Sequence, residues 1–111
     1  MSERDPALLF EDIREAIAKI VRYCEGLSRD AFLADEKTCD AVVRNLEIIG
    51  EAARQMPQTV REQYPEIPWH QMAGMRNRIV HDYAGVDLGI LWTVITTSLP
   101  QLAEQLKNLR E

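Results

Sequence analysis

Residues 35–56 read DEKTCDAVVRNLEIIGEAARQM, and this stretch decides the fold. Its apolar side chains recur every three or four residues, at Cys39, Val42, Leu46, Ile49, Ala53 and Met56. Asp35 is suited to cap a helix at its start, and Pro57 cannot continue one. The stretch therefore predicts a long amphipathic helix whose apolar face is buried against other helices.

A further helix is predicted on the amino-terminal side of this stretch, over residues 6–25. Asp5 is its cap, Pro6 fits the first helical position, and Gly26 ends the apolar pattern. On the carboxyl-terminal side, residues 57–68 contain three prolines. This segment predicts a connector with at most one short helix.

The last part of the chain predicts two more helices around a short loop. One begins near Pro68 and runs to about His81, and the other covers residues 88–109 with Asp87 as its cap. Pro100 is expected to kink or divide the last helix because it lacks a backbone N–H. Strand-like alternation and a Gly-rich phosphate loop are both missing from the sequence. The predicted fold is all-α, an antiparallel four-helix bundle with an additional short helix or connector.

Composition indicates one globular domain over residues 1–111. Of these residues 46% are hydrophobic and 28% are charged. The amino terminus is charged, and no apolar run approaches the length needed to cross a bilayer, so we expect a cytoplasmic protein. Cys24 and Cys39 are isolated from each other and from His70 and His81, which predicts reduced thiols and no metal site.

Residues 76–83, RNRIVHDY, hold the groups that can do chemistry. The Arg76 guanidinium suits a phosphate, and His81 can take or give a proton near neutral pH. Together they predict metal-free phosphodiester cleavage. On a regular helix these two side chains lie about 140° apart, whereas Asn77 and His81 share a face. Asn77 is therefore expected to hold the imidazole while Arg76 faces the phosphate, provided that the helix ends or distorts near His81.

One copy of this motif offers a single proton carrier, whereas metal-free phosphodiester cleavage needs both a base and an acid. Two copies of the third predicted helix, meeting across a two-fold axis, would place two arginines and two histidines in one cleft. Bulky apolar residues on the third and fourth predicted helices also exceed what one small bundle is expected to need. They are Trp69, Met72, Met75, Ile79 and Trp92. A homodimer with a composite site is predicted.

Each of these residues also has an ordinary structural interpretation. Arg76 and Arg78 are common as solvated helix residues, and His81 is suited to interact with a helix carboxyl terminus. Asp82 can pair with Arg78 four residues earlier, and Tyr83 can be a core aromatic. These alternatives stay open at the level of the residues alone.

Charge also bears on function. The net charge is -5, whereas nucleic-acid binders usually present a basic surface, so long-range attraction of RNA is not expected. Arg44, Glu47 and Glu51 fall on one side of the predicted second helix. They form either a solvated charged face or a support for the site.

The pattern Arg76-x4-His81-x-Tyr83 is followed by Ala84-Gly85-Val86-Asp87, Leu91-Trp92 and Leu99-Pro100, and the second helix contains RNLEIIGEA over residues 44–52. This combination resembles the HepT-like branch of the HEPN superfamily. The resemblance implies an all-α dimeric ribonuclease that needs no cofactor. It also implies a toxin of a type VII-like toxin–antitoxin pair, whose partner nucleotidyltransferase neutralises it by transferring AMP to Tyr83. In the ribonuclease, Tyr83 is expected to support the site together with Asn77. The alternative is a non-catalytic helical partner that docks the nucleotidyltransferase, and the acidic charge favours it.

Overall fold

The chain is helical along almost all of its described length. The computed structural model describes residues 4–81 and 85–109, apart from the side chains of Val80 and His81. The helices are α1 (Pro6–Cys24), α2 (Arg29–Leu33), α3 (Glu36–Gln55), α4 (Gln58–Gln63), α5 (Trp69–Ile79), α6 (Leu88–Thr93) and α7 (Leu99–Lys107). None of the helices in these ranges is long and apolar enough to cross a membrane. The predicted all-α class is confirmed, while the antiparallel four-helix bundle stays a prediction.

Three aspartates begin helices as the sequence predicts. Asp5, Asp35 and Asp87 each accept a hydrogen bond from a backbone N–H two or three residues later, at 2.8–3.0 Å. Each bond satisfies an N–H that has no partner inside the helix. The proline-rich connector contains one short helix, α4, as expected.

Helix α3 lies at the centre of the packing. It packs against α1 and α5, while α7 contacts α1 and α6 contacts α5. Its apolar face is buried at Cys39, Val42, Leu46, Ile49 and Ala53. The predicted amphipathic pattern of this helix is therefore confirmed, and α3 is the element on which α5 is placed.

Gly50 allows α5 to lie directly on α3. A Cβ atom at this position would lie 3.1 Å from the carbonyl oxygen of Met72 and 3.6 Å from that of Ala73. One turn further along α3, Arg54 Nη1 donates a hydrogen bond of 2.7 Å to the Ala73 carbonyl oxygen. The missing side chain and this bond together fix α5 against α3.

The apolar side of α5 is buried inside a single copy of the chain. Trp69, Met72, Met75 and Ile79 are at most 8% exposed. Trp92 is partly buried, and its ring lies 5.3 Å from the Phe32 ring between centroids. The expectation that these residues exceed what one copy needs is therefore wrong, because four of them lie in its own core and Trp92 packs against that core. Apolar surface therefore no longer supports the homodimer. The homodimer stays a prediction that rests on the need for both a base and an acid in the site.

The last predicted helix is divided, as Pro100 led us to expect. Between α6 and α7, residues Val94–Ser98 form a π-helical segment in which the Leu99 N–H bonds to the Val94 carbonyl oxygen, five residues back. Val94 and Leu99 are both buried. Because a π turn is wider than an α turn, Leu99 lies on the same side of the helix as Val94, five residues earlier. In a regular α-helix these two residues would not share a side.

A short strand pair follows α5 and was not predicted. The helix ends at Ile79, and β1 (Val80–His81) pairs antiparallel with β2 (Gly85–Val86). The Asp87 N–H closes the pair with a hydrogen bond of 2.7 Å to the Ile79 carbonyl oxygen. Gly85 has φ of 83°, a left-handed conformation that favours glycine. The third helix therefore ends two residues before its predicted end.

Candidate functional site

The carboxyl-terminal turn of α5 presents a row of polar side chains. Arg76, Asn77 and Arg78 are all exposed, while Met75 and Ile79 anchor the same turn in the core. Residues two apart on a helix point about 200° apart. Arg76 and Arg78 consequently lie on opposite flanks of α5, with Arg76 towards α3 and Arg78 towards α7.

On the α3 flank, Arg76 is held by an acidic residue. Its Nε donates a hydrogen bond of 2.9 Å to Oε2 of Glu47, and the two side chains are 50% and 41% exposed. Among residues 4–81 and 85–109 this is the only bond that the Arg76 guanidinium makes. Within the described part of the chain, four of its five N–H donors, on the two Nη atoms, are therefore left for an anion.

The contact belongs to a polar seam between α3 and α5, formed by Glu47, Glu51, Arg54 and Arg76. Arg54 Nη2 pairs with Oε1 of Glu51 at 2.9 Å, and Arg54 Nη1 reaches the backbone of α5. Hydrogen bonds from Arg54 and Gln55 lower the pKa of Glu51 below its usual range, so this carboxylate is ionised at neutral pH. Of the two acids in the seam, only Glu47 contacts Arg76.

On the other flank, Arg78 lines a groove of about 260 Å³ between α5 and the start of α7. Met75, Leu99 and Leu102 give the groove apolar lining, and His70 also lines it. The predicted ion pair of Arg78 involves Asp82, which lies outside the described residues. A single phosphate within one subunit is expected to contact Arg76 or Arg78 rather than both, because α5 stands between them.

The backbone of His81 lies in β1, two residues past the end of α5, paired with Gly85. The expectation that the helix ends near His81 is therefore met. Since Asn77 and His81 do not share a helix, the geometry assumed for Asn77 is absent, and its supporting role stays a prediction. The side chain of His81 and the whole of Tyr83 lie outside the described part of the chain. Pairing with β2 holds the His81 backbone in a defined position next to the end of α5.

The sequence pattern of a known family matches residues 13–109 of this chain, and that family is described as ribonuclease HepT-like. The chain belongs to the HepT-like family. The resemblance seen in the Arg76-x4-His81-x-Tyr83 pattern and in residues 44–52 is thereby confirmed. The HepT-like match covers every helix from α2 to α7 and most of α1.

Several relatives align with this HepT-like chain over nearly their whole length. "Probable ribonuclease HepT" of Thermococcus cleftensis is 43% identical over 101 residues, which cover 91% of this chain and 92% of the relative. A protein of Caldanaerobacter subterraneus named as a candidate RNase is 35% identical over 106 residues, 96% of this chain and 95% of its own. A protein of Methanocaldococcus jannaschii with the same description is 32% identical over 109 residues, 98% and 90% of the two chains. No solved structure gives a significant match.

The two cysteines lie away from the polar seam of this HepT-like domain. Cys24 is half-buried, Cys39 is buried, and both are free thiols. Burial raises the pKa of both thiols, so both are protonated at neutral pH. Within the described residues, no group of three or more His, Cys, Asp or Glu side chains is placed to hold a metal ion.

Two features of the site were missed at the level of sequence. The first is the strand pair that carries the His81 backbone, for which Gly85 is the only signal. The second is the bond between Glu47 and Arg76. The spacing of Glu47 and Glu51 on the side of α3 that carries Gly50 was a usable signal, since a glycine on a helix face often marks the close approach of another helix.

Proposed function

We propose that this protein is a metal-independent endoribonuclease that acts in the cytoplasm as the toxin of a type VII-like toxin–antitoxin system. The observation that carries the proposal is Arg76 at the exposed end of α5, whose Nη atoms bond to none of the described residues, with the His81 backbone two residues past the helix in a paired strand. Membership of the HepT-like family and relatives named as ribonucleases support RNA as the substrate.

The proposed reaction needs three groups around one phosphate. His81 takes the proton of a ribose 2′-hydroxyl, whose oxygen then attacks the neighbouring phosphorus. The Arg76 Nη donors stabilise the negative charge that builds up on the phosphate oxygens. The bond from phosphorus to the 5′-oxygen breaks, and a protonated imidazole gives that oxygen its proton. The products are a 2′,3′-cyclic phosphate and a 5′-hydroxyl.

The reaction is tested with purified protein and a labelled RNA in excess chelator. Cleavage that is unchanged by the chelator is the expected result, because neither Arg76 nor His81 needs a metal ion to act. The His81→Ala variant, purified in the same way, controls for contaminating ribonucleases. Cleavage that stops with chelator and returns with added magnesium would contradict the metal-free mechanism.

The proposal includes a homodimer with a composite site, since one chain contributes one His81 and the reaction uses both a base and an acid. Light scattering at micromolar concentration is expected to give twice the mass of the 12.7 kDa chain. Activity is expected to fall on dilution as the dimer dissociates. A monomer that cleaves RNA at an unchanged specific rate would show that each chain holds a complete site.

Tyr83 is proposed as the residue that the partner nucleotidyltransferase modifies: its phenolic oxygen bonds to the α-phosphorus of ATP, and pyrophosphate leaves. An attached AMP brings a phosphate for an arginine on α5 and a base large enough to occupy the cleft, which would block RNA. After incubation with the partner and ATP, intact mass measurement is expected to show an added AMP on the wild type and none on Tyr83→Phe. The phenylalanine variant is expected to stay toxic when the partner is present. An equal mass increase on both proteins would exclude Tyr83.

A second function is favoured by one observation, the net charge of -5, which disfavours binding to RNA. In this alternative the chain is a non-catalytic helical partner that docks the nucleotidyltransferase and offers Tyr83 to it. A docking partner would not arrest growth when it is expressed alone. Growth arrest that depends on His81 therefore separates the two functions.

A further inference from the structure

Glu47 and Arg76 are 29 residues apart in sequence, on different helices, and yet their side chains meet at the proposed site. We propose that Glu47 is a positioning residue for RNA cleavage, which holds the Arg76 guanidinium so that its two Nη atoms face the scissile phosphate. This inference rests on the proposed ribonuclease function. Glu47 itself touches Arg76 and is not assigned any contact with RNA.

The position of the bond on the guanidinium carries the argument. Glu47 binds Nε, the donor nearest to the helix, at 2.9 Å. A hydrogen bond at Nε fixes the plane of the guanidinium and does not itself occupy the outer edge, which is formed by Nη1 and Nη2. That edge matches two oxygens of a phosphate, so the bond prepares Arg76 for bidentate binding. A free arginine at an exposed position would spread over many rotamers.

The carboxylate of Glu47 is supported by a well-defined contact between helices. Gly50 lets the backbone of α5 approach α3 closely, and Arg54 bonds to the Ala73 carbonyl oxygen on α5. These contacts set the separation of the two helices on the carboxyl-terminal side of Glu47. The backbone of Glu47 is thus held in a defined position relative to α5.

A purely stabilising ion pair is the alternative. Both side chains are close to half exposed, and exposed pairs of this kind contribute little to stability because solvent screens them. We therefore expect Glu47→Ala to melt close to the wild type. The loss is expected to appear in kcat instead, because a misplaced Arg76 no longer meets the charge that develops in the transition state.

Because Glu47 is negatively charged, its removal is expected to affect kcat and KM differently. Glu47 partly neutralises Arg76, so its removal leaves a more positive site that attracts RNA at least as well in the ground state. Glu47→Ala is thus expected to lower kcat about tenfold or more with KM unchanged or lower. Glu47→Gln keeps an oxygen that accepts from Nε and is expected to retain kcat within about threefold.

Glu51→Ala is the matched control. Glu51 lies one turn further along α3 and is also exposed, and its removal takes away the same charge, but it pairs with Arg54 rather than Arg76. Glu51→Ala is expected to keep the kcat of the wild type, because Glu51 binds Nη2 of Arg54, whereas Arg54 reaches the Ala73 carbonyl oxygen through Nη1. The double variant Glu47→Ala with Arg76→Ala is expected to be no slower than Arg76→Ala alone, because Glu47 acts only through Arg76.

NMR spectroscopy can follow the hydrogen bond between Glu47 and Arg76 independently of activity. The Nε–H proton of Arg76, assigned by its loss in Arg76→Lys, is expected to exchange slowly in NMR spectra of the wild type and Glu47→Gln, and rapidly in Glu47→Ala. Three results would overturn the proposal while leaving the ribonuclease function in place. They are a wild-type kcat in Glu47→Ala, an equal loss of kcat in Glu51→Ala, or an Nε–H exchange rate that does not change when Glu47 is replaced. A wild type that does not cleave RNA would instead remove the proposed function, and the positioning role with it.

Discussion

Replacing His81 with alanine is expected to lower the rate of RNA cleavage by a factor of about 10² to 10⁴, the usual contribution of a general acid or base. The imidazole is the only group in the Arg76–Tyr83 stretch whose ordinary pKa lets it both accept and donate a proton near neutral pH. Its backbone is held by the strand pair, whose hydrogen bonds do not use the side chain. Circular dichroism and melting of the variant are therefore expected to match the wild type.

His70→Ala is the natural control for this variant. His70 is the other histidine of the chain, exposed at the opposite end of α5 from His81. We expect the His70→Ala variant to cleave RNA and arrest growth like the wild type. Full activity in His81→Ala would remove the ribonuclease mechanism, and a collapsed fold in that variant would show that His81 is structural.

Replacing Arg76 with alanine is expected to lower kcat by a factor of about 10² to 10³, comparable to the loss of one donor from a site that stabilises a developing negative charge. Arg76→Lys keeps the charge but loses the planar fork, so an intermediate rate is expected. The melting temperature is expected to change little, because the bond to Glu47 is exposed.

Arg78→Ala provides the comparison for Arg76→Ala. It removes the same charge from the same turn of α5, but from the flank that faces α7. Its kcat is expected to stay close to that of the wild type, with any loss confined to RNA affinity at low salt. Equal losses of kcat in both variants would indicate a general effect of charge and would contradict the specific role of Arg76.

The sequence predicted most helix boundaries because their causes are local. Asp5, Asp35 and Asp87 each bond to a backbone N–H within three residues, and Pro57 ends a helix by its own chemistry. The buried face of α3 was predictable for a similar reason, since a period of three to four residues is visible in one sequence. The division of the last helix followed from Pro100, although the π form of the turn did not.

What the sequence did not predict depends on contacts between distant residues or on elements too short to show a pattern. Two strands of two residues each cannot display an alternation, so the end of α5 at Ile79 was missed. The apolar residues of α5 reveal which side of the helix is buried, but their number does not say whether the partner is the same chain or a second copy. The bond between Glu47 and Arg76 spans 29 residues, beyond the reach of any local rule.

Gly50 connects the packing of the core to the proposed chemistry in a way that bears on how such a protein can vary. A methyl group there would meet the Met72 carbonyl oxygen at 3.1 Å, so α5 would have to move outward by a few tenths of an ångström. Such a shift changes the reach of Arg76 to Glu47 without removing any polar group. Natural or selected changes at position 50 would therefore adjust the rate of the proposed RNA cleavage gradually, whereas changes at Arg76 or His81 are expected to abolish it.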